Sequence, residues 1–132
     1  MIFRALSLLS IVALLPTPAP AGECPAAGGD QIIEVIERMP SCDAAYKVME
    51  SCAYGSSMDV QFGAAVLAKC EGEFLTKLST RQRKSYDQQH GKCSRKYRNM
   101  EGSMYQSFEA FCHAGIGRRY ARIFMPRTEQ AK

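Results

Sequence analysis

Residues 42 to 70 read CDAAYKVMESCAYGSSMDVQFGAAVLAKC, and the pattern in this run carries most of the architecture. Ser41, just before it, is a natural helix N-cap, and Cys42, Ala45, Tyr46, Met49, Cys52 and Ala53 recur at three- and four-residue steps, the spacing of one helical face. Gly55-Ser56-Ser57 interrupts the pattern and offers a fresh cap. A second stripe through Phe62, Ala65, Val66, Cys70, Phe74 and Leu78 predicts a helix over Met58 to Leu78. Cys42 and Cys70 stand fourteen residues either side of Ser56, so a helical hairpin turned at that serine sets them face to face.

On the C-terminal side, Ser79 with Gln82 three residues on has the spacing of a capping box and predicts a break there, one long helix being the alternative. A fourth helix then carries the narrow stripe Tyr86, His90, Cys93, Tyr97 and Met100. Glu101-Gly102-Ser103 is the next turn, and a last helix lined by Met104, Phe108, Phe111, Cys112, Ile116, Tyr120 and Ile123 runs up to Pro126. Cys93 and Cys112 are again symmetric about the intervening turn. On the N-terminal side, Asp30 caps a short helix through Ile32, Ile33, Ile36 and Met39, which Pro40 ends. No segment alternates apolar and polar residues as a strand does. The expected fold is all-α: a bundle of four to five helices in two hairpins, spanning residues 30–125, after a Pro/Ala/Gly-rich tether at 22–29 and before a tail at 126–132.

Arg4, the apolar run Leu6 to Leu15 and the triplet Ala19-Pro20-Ala21 read together as a secretory signal peptide over residues 1–21. The apolar run is too short for a transmembrane helix, which takes about 20 residues. Glu23 before Cys24 departs from the small residue that lipoprotein processing prefers. The mature chain is thus expected outside the cytoplasm, periplasmic or extracellular. Six cysteines in a small exported chain are the signature of three disulfides. Six allow fifteen pairings, and hairpin symmetry selects Cys42 with Cys70 and Cys93 with Cys112, leaving Cys24 with Cys52. Cys42 with Cys52 is excluded, because ten residues of helix hold them about 15 Å apart. Zinc is disfavoured by the absence of a C-x-x-C pair and by the presence of only two histidines, His90 and His113. No cofactor or metal is expected.

The formal charge of +4 conceals a split. Residues 22–76 hold nine acidic and three basic side chains, and residues 77–132 hold four acidic and thirteen basic. Arg81, Arg83, Lys84, Lys92, Arg95, Lys96 and Arg98, joined by Arg118, Arg119 and Arg122, form a candidate partner surface for anionic membrane headgroups or cell-wall polymers. Nucleic acid suits an exported protein less well. Ser-His-Asp order, paired carboxylates and glycine-rich phosphate loops are all missing, so the expectation is a binding protein and not an enzyme. His90 reads as a core-edge residue and His113 as a solvated one. A small hydrolase or nuclease using both, with Lys92 as the cation, is the distant alternative.

Met49-Glu50-Ser51-Cys52-Ala53, Gln82-Arg83 before Cys93, and Glu101-Gly102-Ser103-Met104 leading to Cys112 resemble the lysozyme inhibitor LprI-like N-terminal domain family over roughly Cys42 to Tyr120. The family's usual Trp has no counterpart: Ser85 stands at its place, with Tyr86 beside it. The resemblance implies a small helical, disulfide-bonded envelope protein that acts like a lysozyme inhibitor by non-covalent protein binding, with a lysozyme as the expected partner; docking to anionic membrane or wall polymers is the alternative. A cationic lysozyme would be met by the acidic first half, through Glu34, Glu37, Asp43, Glu50 and Asp59. The oligomeric state is left open.

Overall fold

The computed structural model describes residues 22–125; the expected signal peptide and C-terminal tail lie outside the described residues. Five α-helices follow in order: α1 (Gly29–Arg38), α2 (Cys42–Cys52), α3 (Met58–Phe74), α4 (Thr80–Tyr97) and α5 (Ser103–Phe124), with a single 3-10 turn, Leu75–Lys77, between α3 and α4. Among the described residues there is no strand.

Local chemistry fixes the boundaries. Ser41 caps α2 by accepting from the Ala44 N–H, and Glu73 of α3 accepts from the Cys42 N–H at 2.6 Å, so two of the free N–H groups at the start of α2 are satisfied. The capping box at Ser79 and Gln82 is formed in both directions, which divides α3 from α4 as expected. Three boundaries differ from expectation. α1 begins at Gly29 with Gly28 at its N-cap, and Asp30 lies inside the first turn, where its charge meets the positive helix end instead of capping it. α3 stops at Phe74 and not Leu78, because the chain tightens into the 3-10 turn. Ser57 makes no side-chain cap, and Asp59 in the first turn of α3 instead turns its carboxylate back to the loop N–H groups of Gly55 and Ser56.

The central contact is α3 against α5; α1 and α2 pack on α3, and α4 leans on α5. Ile32, Ile36, Met49, Phe62, Val66, Phe74, Tyr86, Ile116 and Tyr120 fill the interior. Phe74, Tyr86 and Tyr120 form an aromatic knot with ring centroids 4.9 to 5.6 Å apart. α5 overturns an expectation. Met104, Phe108 and Ile123, read as inward, are 57%, 47% and 66% exposed, and the small residues Ser107, Ala110, Ala114, Gly117 and Ala121 are buried instead. The cause is closeness: a Cβ on Gly63 of α3 would stand 2.9 Å from the Ala110 Cβ and 3.1 Å from its carbonyl oxygen, so the helices touch nearly backbone to backbone. Large side chains do not fit there and are turned to the flanks. Met100, read as part of the α4 stripe, lies past the end of that helix and is exposed.

Three disulfides join Cys24 to Cys52, Cys42 to Cys70 and Cys93 to Cys112, the pairs hairpin symmetry selects. The second locks α2 to α3 and the third locks α4 to α5. The first brings residues 22–28 onto α2, where Cys24 and Ala26 are partly buried against the core.

Candidate functional site: a cationic helix face and a histidine pair

Only one side of α4 is apolar. Tyr86 and Cys93 are its buried residues, with His90 and Tyr97 half-buried beside them. At 100° per residue, Arg81, Lys84, Lys92 and Arg95 fall within about 80° of one another, roughly opposite that buried side, with Lys96 and Arg98 on the flanks. All six are exposed, and among the described residues none of the six lies within ion-pairing distance of a carboxylate. Arg83 differs, since it pairs with Asp87 one turn on at 3.4 Å. A shallow groove of about 710 Å³ runs along this flank over Gly91, bounded by Lys84, Asp87, Gln88 and Arg95.

Two of the three arginines of α5 expected to extend the same surface, Arg118 and Arg122, turn instead to Asp43, while Arg119 stays exposed beside α4. Arg118 donates to Asp43 at 2.7 Å and lies 4.3 Å from the Tyr46 ring centroid, half-buried. Arg122 donates to the same carboxylate through Nε at 2.9 Å and again through its Nη2. Arg119 is bonded to Gln89 of α4. Burial alone would raise the Asp43 carboxyl, but hydrogen bonds from Arg118 and Arg122 and their charges outweigh it and hold the group at about 2. The acidic and basic sequence halves are therefore stitched together at the α2–α5 seam. On α4 and its C-cap, six cations are left without a carboxylate partner among the described residues.

The acidic surface is smaller than the sequence implied. Asp59 is fully buried and accepts from the backbone N–H groups of Tyr54, Gly55 and Ser56 and, at 2.6 Å, from the Ser107 hydroxyl. Asp43 is taken by arginines. Glu34, Glu37 and Glu50 remain exposed, Glu34 being paired with Arg38 on its own helix and Glu50 lying 3.8 Å from Arg118.

His113 is not solvated. Its ring stacks on that of His90, centroids 4.8 Å apart, with the two Nδ1 atoms at 2.6 Å. The tautomers that satisfy most partners have His90 Nδ1 donating to His113 Nδ1 and His113 Nε2 donating toward Glu109 at 3.5 Å. His90 Nε2 is then a buried acceptor without a partner. Burial, and next the His113 charge, keep His90 below the ordinary histidine value, against an upward pull from Glu71 and Asp87. The pair edges an open cleft of about 830 Å³ between α3 and α5, floored by Val60, Gly63, Ala64, Leu67 and Ala110. Lys92, two residues after His90, points about 200° away around α4, so the acid, base and cation of a nuclease are not brought together. Among the described residues no three His, Cys, Asp or Glu side chains converge as a metal site.

Fold and site together define a class: a small, disulfide-bonded, all-helical domain with an unpaired cationic helix face. No protein-family model, curated protein or solved structure matches the chain. Three disulfides fit an oxidising environment. Among the described residues no helix is long and apolar enough to cross a membrane.

Proposed function

We propose that this protein is an exported binding protein of the cell envelope that docks non-covalently to anionic membrane or wall components through α4. One observation carries the reading: six exposed cations on one side of a single helix, with no carboxylate within ion-pairing distance among the described residues. A fold satisfied by its own charges would neutralise such a face, as it does for Arg118 and Arg122. The signal-peptide pattern of the first residues supports export to a compartment where anionic headgroups and wall polymers are the abundant partners.

A second reading, inhibition of a lysozyme by protein contact, rests on the family resemblance and is favoured by the exposed carboxylates Glu37 and Glu50. Salt separates the two. Binding of the oxidised mature protein to inorganic polyphosphate should weaken by about 100-fold between 50 and 200 mM salt, as release of roughly four counterions requires. No binding at low salt, or a loss under about threefold, overturns the anionic reading. A turbidity assay of cell-wall lysis with the protein in excess reports directly on the second.

A further inference from the structure

Beyond the Cys93–Cys112 bridge the α4–α5 hairpin ends in an apolar tip. Met100, Met104, Tyr105 and Phe108 are 46%, 57%, 39% and 47% exposed. They form one patch: Phe108 touches the Tyr97 ring at 6.4 Å and the Tyr105 ring at 6.2 Å, and Met104 lies one turn before Phe108 on the same side of α5. The α2–α3 loop abuts the patch at Met104 and carries Tyr54, 79% exposed. Contiguous apolar surface of this kind marks an interaction site.

What surrounds the patch selects its partner. Lys96 and Arg98 adjoin the tip, with the Lys96 ammonium over the Tyr97 ring, and Lys92 and Arg95 follow further down α4, against the carboxylates of Glu101 in the turn and Glu109 after Phe108. A soluble polyanion would satisfy the cations but offers nothing to Met104 and Phe108. A second copy of the chain would cover the apolar residues but set like charges against each other. A bilayer with anionic headgroups satisfies both, since tyrosines sit at headgroup depth, apolar side chains pass below it and cations meet the phosphates. The bridge and the Gly102 turn present the tip already folded. In that turn Gly102 takes φ +107°, a conformation side chains resist.

We propose that the tip of the α4–α5 hairpin seats on an anionic phospholipid bilayer, with Met104 and Phe108 entering below the headgroups and the α4 cations holding the anionic lipid. This rests on the anionic docking reading above and names its target as lipid.

The test uses the oxidised mature chain with vesicles of phosphatidylcholine alone or with phosphatidylglycerol, and polyphosphate as the lipid-free anion. The chain has no Trp, so Phe108→Trp gives a single reporter at an exposed position. The expected results are co-sedimentation with anionic vesicles only, a blue shift of the tryptophan emission, and quenching by brominated lipid. Met104→Ser with Phe108→Ser, both at exposed sites, should lower vesicle affinity at least tenfold and leave polyphosphate binding unchanged. Polyphosphate binding with no vesicle binding, or vesicle binding without a blue shift, overturns lipid insertion while anionic docking stands. Binding to neither ligand removes both, and a Phe108-dependent dimer that ignores vesicles overturns the lipid seating alone.

Discussion

Asp59 shows how much one side chain can hold in a domain this small. Its carboxylate closes the α2–α3 loop through three backbone N–H groups and reaches Ser107 of α5. Asp59→Ala leaves three partly buried N–H groups and the buried Ser107 hydroxyl without their acceptor and should cost about 3 kcal/mol in urea denaturation, while Ser107→Ala, losing one hydrogen bond, should cost about 1 kcal/mol. Equal and negligible losses for both would contradict this role. The sequence could not reveal it. An aspartate in the first turn of a helix ordinarily faces water and the helix dipole, and Ser107 lies 48 residues away. The same distance problem hid the histidine pair, whose members are 23 residues apart on different helices.

At the scale of elements, α5 carries two overlapping stripes, one of large apolar residues and one of small ones. Hydropathy favours the large stripe, and close packing chose the small. Gly63→Ala should therefore destabilise by about 2 kcal/mol, since the added methyl meets the Ala110 backbone, which cannot move without shifting α5. Gly72→Ala on the same helix meets nothing within 4 Å and should stabilise by about 0.5 to 1 kcal/mol through helix propensity. Thermal melts of the two variants moving in the same direction would refute the close α3–α5 approach. The stripes of α1 to α3 and the buried positions Tyr86 and Cys93 of α4 were legible because each has a single apolar face. The boundaries at Ser41 and Ser79 were legible because capping is local chemistry.

For the whole molecule, the charge split was plain in composition, but its outcome depended on Asp43 meeting Arg118 and Arg122, 75 and 79 residues on. The α4 cations could be read because they lie on one helix. Acid should unfold the domain in two steps. Below the ordinary histidine value near 6.5 the unfolded chain binds a proton more readily than His90 does when folded, so stability present above that pH declines as pH falls through the folded value. Asp43 follows: its contribution, present above 3.8, is lost as pH falls through about 2. That second step is about 1 kcal/mol after allowance for solvent around the pair. Urea midpoints measured from pH 8 to pH 2 check both, and Asp43→Asn should abolish the second. A stability that rises on acidification from pH 7 to pH 5 would exclude the first.

The bridges also sort the backbone by how it would respond to a protease. Cys24–Cys52 and Cys42–Cys70 interlock, so one cut anywhere between Cys24 and Cys70 leaves the pieces tied, and Cys93–Cys112 does the same for its own hairpin. The peptide from Glu71 to Lys92 is the sole covalent link between the two cystine-bonded halves. Exposed Lys77 and Arg81 lie within it. A tryptic nick there would yield two fragments separable without reductant, each keeping its own cross-links, and non-covalent packing, chiefly of α3 on α5 with the Asp43 ion pairs beside it, would hold the nicked protein in one piece.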